Sequence, residues 1–580
     1  MTRMVLNDLK SLSLKAEILV VVLILSAYLA VSTYHIDYET MISEESAECI
    51  FAVNILTHNR IISQPVGTSV NIFGTDFPLT QNGRYTFSLP DYFLVPAFFL
   101  FGISIHVYKI SFILLVFFGL AALYYVVREM FGLEIALMSL LLLVINSSFI
   151  QQVRQPLNST EPVINALFWG GLCLYFIYKK NGKNGYLFAA VFLLGSGLNV
   201  KLSIASRYIG LVLAGLIFYA VELKRGFSAA ALKKLFILAA FFCAGGFLFV
   251  FFNFSTSGRT LKLARYLNLF EKVPVEACGP GDQNRRVLHN LELRFAQFNE
   301  MVEHGDIFWE VERTVPYCRI LLCIFWVSFF ANLFYLVYPD PKTRKRILFV
   351  YTFYTAMFLT SLFSPLNWRY IHLGILYPFP QFITALFIYN LYASKPGSRI
   401  PAVYLKLLSI LILVLSVLAE SAMLSVYLSR YDRTAKLYYG LGASLEKLAG
   451  YISENRFYPA YVLSNFVYED LVLQSRGAVG ANSSERSGGS GKDERIEDFQ
   501  FCPENRIIFF GKIDEIVARH RLAYFVSDGS DYSLFGEGER RIGWLKEYAG
   551  KHNMRLMFEG AVNRRDGAPM YSIYRLEGPG

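Results

Sequence analysis

Apolar runs long enough to cross a bilayer recur about eleven times in the first 430 residues of this chain, and they leave it few ways to fold. They fall near 16–34, 107–127, 133–150, 162–178, 185–200, 207–222, 234–252, 317–338, 347–363, 371–393 and 403–427. A backbone in lipid has no water to bond, so such runs must satisfy their own N–H and C=O groups as helices. Composition agrees. The chain is 54% hydrophobic and only 17% charged, with a mean hydropathy of +0.40, where an ordinary soluble domain carries about 25% charged residues. The net charge of +10 does not point to nucleic acid, because the Lys and Arg residues sit in short loops between apolar runs.

Those basic loops set the expected orientation. Arg3, Lys10 and Lys15 precede the first run. Arg128, Lys179–Lys180–Lys183, Lys224–Arg225 with Lys233–Lys234, Lys342 with Arg344–Lys345–Arg346, and Lys395 with Arg399 occupy alternate later loops. All become cytoplasmic if the N-terminus is inside. Counting Pro90–Gly102 as a further span would invert every later loop. That segment is short and contains Pro96, so it is expected to lie in the outer interface or re-enter from it. The outward regions are then 35–106, 151–161, 253–316 and 364–370, together with the C-terminus. Seven cysteines show no CxxC pair, hence no metal or redox framework; a Cys278–Cys318 disulfide is one arrangement the long outer loop allows. The chain shows no internal inverted repeat and no paired broken helices.

From about Arg430 the composition becomes that of a soluble domain. Short strand-like runs occur at 461–463, 506–510, 522–527 and 570–574, with helical patterns at 445–454, 512–520 and 543–553. A small α/β domain over 430–580 is expected outside the membrane, following a transmembrane domain over 1–429. No Gly-rich fingerprint follows a strand, so no nucleotide site is expected there.

Chemistry is expected at the outer ends of the spans. Asp37, Glu39, Glu44, Glu45 and Glu48 crowd the start of the first outer loop, and Ser43–His58 can form a helix with Ser43 as its N-cap. Arg154 and Glu161 share the second outer loop, Lys201 ends another span, and Arg369–Tyr370 precede a run containing Pro378 and Pro380. Cations and carboxylates gathered at one face suit an anionic, lipid-borne substrate. Each is also an ordinary interfacial residue by itself, because Arg and Lys snorkel and Tyr anchors helix ends.

In order, these residues resemble the GT-C superfamily of integral-membrane glycosyltransferases, in its protein O-mannosyltransferase and lipid A aminoarabinose-transferase branch. The resemblance is carried by Glu44–Glu45, by Pro90 to Phe101–Gly102, and by Arg128 before Phe131–Gly132. It continues through Arg154 with Glu161, Gly197–Leu198 to Lys201, and Arg369–Tyr370 before Pro378. Glu44 stands where the family usually has Asp, one methylene longer, which moves a base by about 1.5 Å. The spacing from Arg154 to Glu161 is slightly longer than the family's. The Trp-Trp-Asp motif of oligosaccharyltransferases is absent, which weighs against N-linked transfer.

The resemblance implies a polytopic α-helical membrane protein of about 11–13 spans with the small outer domain. It implies transfer of a hexose or pentose from a polyprenyl-phosphate donor to an acceptor hydroxyl on a protein, lipid or glycan, with inversion. Glu44 or Glu45 would act as base, with Glu161 a further acid of the site. Lys201, Arg369, Tyr370 and Arg154 would hold the donor phosphate. Some relatives use a divalent metal and others do not, so metal use stays open. The competing expectation is a transporter or flippase of a lipid-linked sugar, in which the same charges bind substrate or ions.

Overall fold

The structure is a computed structural model. Its described residues are chiefly 14–34, 43–56, 69–80, 86–154, 160–223, 229–258, 286–304, 317–336, 341–362, 373–393 and 401–433, with shorter stretches between 448 and 578. The chain divides into two compact units. One comprises 1–34, 79–90 and 112–430; the other comprises 35–78, 91–111 and 431–580.

Among the described residues, each apolar run expected to span is helical over most of its length, the runs 185–200 and 371–393 being interrupted by 3-10 turns. In chain order the helices are α1 (Leu14–Thr33), α2 (Ser43–Leu56), α3 (Leu89–Phe101), α4 (Ile105–Phe131), α5 (Leu133–Val144), α6 (Ser147–Arg154), α7 (Glu161–Asn181) and α8 (Asn184–Ser196). They continue as α9 (Ala205–Leu223), α10 (Ala229–Gly245), α11 (Phe247–Ser255), α12 (Arg286–Val302), α13 (Tyr317–Phe334), α14 (Pro341–Ser361), α15 (Phe379–Ala393) and α16 (Ala402–Arg433). By length and apolarity, four among the described residues can cross a membrane alone: α1, α4, α7 and α16 as far as Ser429. The count rises to six if the bent pairs α5–α6 and α10–α11 are each one span. The other expected spans are shorter or more polar. At 1.5 Å per residue, the 13 residues of α8 cover only about 20 Å of a hydrocarbon layer about 30 Å thick.

The bends, 64° between α5 and α6 and 80° between α10 and α11, are broken helices that the sequence did not reveal. α3 is a 13-residue helix with Pro96 inside it, too short to span, as expected for the 90–102 segment. Its final residues Phe99, Leu100 and Phe101 are exposed.

In the first unit, contacts between small residues set the helix spacing. A Cβ on Gly195 of α8 would sit 2.1 Å from the carbonyl oxygen of Phe242 on α10, and one on Gly245 would sit 2.0 Å from that of Phe192. Only glycine at both places lets the two backbones touch. Where 128–129 meet 180, the helices are tied by charge. Glu17 of α1 accepts hydrogen bonds from Tyr124 Oη (2.7 Å) and Arg128 Nη2 (2.8 Å) of α4, and Lys180 of α7 lies 2.7 Å from Glu129. The family-like Arg128 therefore braces the bundle.

The second unit holds α2, whose range matches the helix expected from Ser43, and the hairpin β1 (Ser69–Ile72) with β2 (Thr75–Pro78). It also holds a five-stranded sheet. The strands are β3 (Ala460–Val462), β4 (Ile496–Asp498), β5 (Leu522–Asp528), β6 (Arg555–Asn563) and β7 (Pro569–Glu577), in the order β4-β3-β5-β7-β6. β3 runs parallel to β4 and β5, whereas β7 is antiparallel to β5 and β6. Helix α17 (Glu537–Lys551) places Ile542, Leu545, Tyr548 and Ala549 on one stripe against Tyr461, Phe525 and Leu576. An α/β sheet core was expected. β4 and β6 were not, since their residues alternate weakly. The run 506–510, Cys278 and the side chain of Cys318 lie outside the described residues.

Candidate functional site

Glu161 and Lys201, forty residues apart, meet as a buried pair. Glu161 opens α7 with Pro162 behind it, a position where the helix N-terminus favours a carboxylate. Lys201 is an extended residue (φ −159°, ψ 143°) between two short 3-10 turns, Gly197–Asn199 and Leu202–Ile204. Its Nζ lies 3.0 Å from Glu161 Oε1; the Glu161 side chain is wholly buried and that of Lys201 is 10% exposed. Two charges withdrawn from water are tolerable only when they are paired this closely.

The loop around Lys201 is built by its neighbours. Asn199 donates from Nδ2 to the carbonyl of Gly245 (2.5 Å) and accepts the N–H of Phe249 on its Oδ1 (3.1 Å), so it spans the bend between α10 and α11. Residues 86 and 87 are laid against the same loop. Thr86 forms an antiparallel bridge with Lys201, and the N–H of Phe87 donates to the carbonyl of Val200 (2.9 Å). The Phe87 ring packs edge-on against Phe249 and Phe252 at 5.5 and 5.8 Å.

Arg154 ends α6 fully buried, with its guanidinium carbon 5.9 Å from the centre of the Tyr427 ring on α16. The first turn of α6 is clamped by residues the sequence did not single out. Ser148 donates its N–H to His304 Nδ1 (3.3 Å), and the hydroxyls of Ser147 and Ser148 lie 3.1 and 3.0 Å from the same nitrogen. Because Nδ1 accepts, the ring proton belongs on Nε2, which lies 3.0 Å from Glu420 Oε2. Asn146, at the break between α5 and α6, donates to both Glu420 oxygens at 3.2 and 3.3 Å. His304 holds a left-handed backbone, φ +59°. Glu420 is a lone acid inside an apolar run, which is the signal that could have found it. His304 sits in a long polar stretch and carries no such signal.

A further buried cation, Arg207 in the first turn of α9, also went unread. Its Nη2 donates to Asn165 Oδ1 and to the carbonyls of Ile375 and Tyr377, the last at 3.0 Å. Its guanidinium carbon lies 4.9 Å from the Phe168 ring centre and 6.0 Å from that of Trp169.

Of the expected site residues, the structure thus brings Glu161 and Lys201 into contact and buries Arg154 at the end of α6. Glu44 and Glu45 lie on the backbone of α2, but their side chains, like all of Arg369 and Tyr370, fall outside the described residues. Among the described residues no group of three His, Cys, Asp or Glu is placed to hold a metal.

With this geometry in place, the chain can be set beside known proteins. A family model described as dolichyl-phosphate-mannose-protein mannosyltransferase matches residues 89–248, which contain Arg154, Glu161, Lys201 and Arg207. Among solved structures, ArnT from Cupriavidus metallidurans bound to undecaprenyl phosphate superposes with a TM-score of 0.53 at 12% identity, covering 96% of this chain and 97% of that one. Its apo state gives a TM-score of 0.52 at the same identity and coverage. The oligosaccharyltransferase AglB from Archaeoglobus fulgidus, at 0.48 and 12% identity over 88% of this chain and 69% of that one, is too distant to support an argument. No curated protein sequence matches. The chain thus shares its overall fold with ArnT, and over residues 89–248 it is similar to the dolichyl-phosphate-mannose-protein mannosyltransferase family.

Proposed function

We propose that this protein transfers a sugar from a polyprenyl-phosphate donor to an acceptor hydroxyl at the outer membrane face. The observation that carries this reading is the buried Lys201–Glu161 pair, set at the helix ends inside the segment that matches the mannosyltransferase model. A fixed ammonium in a water-poor site stabilises charge that develops as a phosphate leaves, and it needs no reorganisation to do so. ArnT, whose fold this chain shares, is described with undecaprenyl phosphate bound.

In the reaction, the acceptor oxygen attacks the anomeric carbon from the face opposite the phosphate. The bond from that carbon to the phosphate oxygen breaks, and the configuration inverts. The acceptor's proton passes to Glu44 or Glu45, and the electron pair of the broken bond leaves with polyprenyl phosphate. Lys201 meets the charge of the departing phosphate, with Arg154, Arg369 and Tyr370 as its other contacts. Glu161 orients Lys201 and keeps the site near neutral until the donor arrives. In this reading residues 1–429 form the catalytic membrane domain with a cytoplasmic N-terminus. The acid-bearing loop 35–106 and the α/β domain 430–580 both lie outside, and α3 rests in the outer interface.

The broken helices α5–α6 and α10–α11 favour a second reading, a transporter of the intact lipid-linked sugar, since broken spans commonly build transport sites. One assay separates the two. Membranes containing the protein are given radiolabelled polyprenyl-phosphate sugar, and both label transfer and released polyprenyl phosphate are followed. The transferase reading expects both, with turnover falling about 100-fold or more in Glu44→Gln or Glu45→Gln. Translocation of intact donor without release, or unchanged turnover in both variants, would overturn it.

A further inference from the structure

Glu420 is an acid inside the apolar part of α16, 6% exposed, and no Lys or Arg among the described residues pairs with it. Arg154 packs on Tyr427, two helical turns or about 10 Å further along α16. The groups that do hold Glu420 are neutral. Asn146 Nδ2 donates to both carboxylate oxygens, and His304 Nε2 lies 3.0 Å from Oε2. Both oxygens therefore accept, which is the arrangement of an ionised carboxylate. His304 accepts the Ser148 N–H on Nδ1, so its ring carries no positive charge to set against the acid. A carboxylate buried among neutral groups in an apolar bundle is costly unless something else compensates it.

Glu420 lines a cavity of about 30 Å³, which has room for about two waters and lies wholly within the first unit. The polar part of its wall comes from two helices, each at one-turn spacing: Gln381 and Thr384 of α15, and Ser416 and Glu420 of α16. Asn146, at the break between α5 and α6, completes it. Gln381 is 4% exposed, and its Oε1 has no hydrogen-bond partner. Ser416 donates its hydroxyl proton to the carbonyl of Ile412 (2.8 Å), so its oxygen has only lone pairs left to offer. α5 ends at Val144, two residues before Asn146, and brings the negative end of its dipole to the same place. A carboxylate, a bare amide oxygen, a hydroxyl oxygen and a helix C-terminus around one small space describe a receptor for a positive ion.

We propose that this cavity is a site for a monovalent cation, sodium or potassium stripped of most of its water. A Glu420 oxygen, Gln381 Oε1 and Ser416 Oγ hold the ion, and one water fits beside it. One carboxylate matches one positive charge. Divalent ions match less well, because Ca²⁺ takes about six to eight oxygens and Mg²⁺ keeps several waters that this space does not admit. The ion neutralises Glu420 and so steadies the break from which α6 carries Arg154. The site is independent of the transfer chemistry proposed above.

The test uses the full-length protein in detergent micelles, exchanged into choline chloride and then titrated with sodium, potassium, magnesium or calcium chloride at constant ionic strength. Unfolding temperature, and retention of radiolabelled sodium competed by potassium, are measured for the wild type, Glu420→Gln, Gln381→Met and Ser416→Ala. The wild type is expected to bind one monovalent ion per chain and to gain on the order of 5 °C at saturation over the same protein in choline. Glu420→Gln should lose both signals. Gln381→Met and Ser416→Ala each remove one oxygen and keep the carboxylate, and each should weaken affinity on the order of 10-fold.

An equal response to choline and to both alkali cations would overturn the proposal and leave a carboxylate solvated by water alone. So would a wild-type response in Glu420→Gln. If that variant does not fold, wild-type affinity in both Gln381→Met and Ser416→Ala does the same. Tighter binding of magnesium or calcium than of either alkali cation would overturn the assignment to a singly charged ion.

Discussion

Lys201 Nζ and Glu161 Oε1 lie 3.0 Å apart with both side chains almost entirely out of solvent. Sequence reasoning gave these two residues different tasks, one to bind phosphate and one to act as an acid. Their contact makes them one unit. A carboxylate bound this closely to an ammonium is not poised to take a proton, so in the reaction proposed above that step goes to Glu44 or Glu45 rather than to Glu161.

Breaking this pair from one side should cost far more than removing it whole. Glu161→Gln or Lys201→Met alone is expected to lower stability by roughly 3 kcal/mol, because each leaves an uncompensated buried charge. The double variant should recover most of that loss. Unfolding of all four proteins in micelles gives the coupling directly; simple additivity of the two losses would contradict the pairing.

The His304 clamp should matter for the position of α6 and hence of Arg154. His304→Ala removes the acceptor for the Ser148 N–H and leaves Glu420 without its ring partner, an expected loss of about 1–3 kcal/mol. His304→Ala and Glu420→Gln should be strongly non-additive. Equal effects of His304→Ala in wild-type and Glu420→Gln backgrounds would show that the two do not act together.

Helix spacing offers a third check. Gly195→Ala or Gly245→Ala forces a methyl into a carbonyl across the α8–α10 contact and should cost about 1–3 kcal/mol, with lower yield of folded protein. Gly185→Ala is the control, since a Cβ there meets nothing within 4 Å. It should be neutral or slightly stabilising.

Beside the five-stranded sheet, Tyr548 Oη donates to Asp514 Oδ1 at 2.5 Å. Burial, and then the neighbouring carboxylate, push the phenol's pKa up from its ordinary value near 10. The folded state therefore holds this proton more tightly than the unfolded chain does. Its contribution is complete below about pH 10, the unfolded value, and fades as pH rises towards the folded one. Tyr548→Phe should flatten the fall in stability above pH 10, and an unchanged alkaline slope would exclude the residue as a cause.

The bundle was legible because apolar length and basic loops act locally, whatever the tertiary contacts turn out to be. The same logic placed Arg154, Glu161 and Lys201 at one set of helix ends. It could not show that Glu161 and Lys201 touch, since that contact depends on how α7 and α8 pack. Arg207 stood in the open as a single cation entering an apolar run, yet nothing nearby in the chain marks Asn165 or the 375–377 carbonyls as its partners. The bends after Val144 and Gly245 were hidden because hydropathy averages across them. In the five-stranded sheet, strong runs such as 522–527 emerged as strands, while β4 and β6 depend on neighbours to be strands at all.

The bridge between Thr86 and Lys201 has a consequence for how such a chain can diversify. It ties the chain just before α3 to the residue that pairs with Glu161, and it does so through backbone groups. Side chains at Thr86 can therefore be exchanged among relatives while Lys201 keeps its extended register. Phe87→Pro, lacking the N–H donated to Val200, should instead displace Lys201.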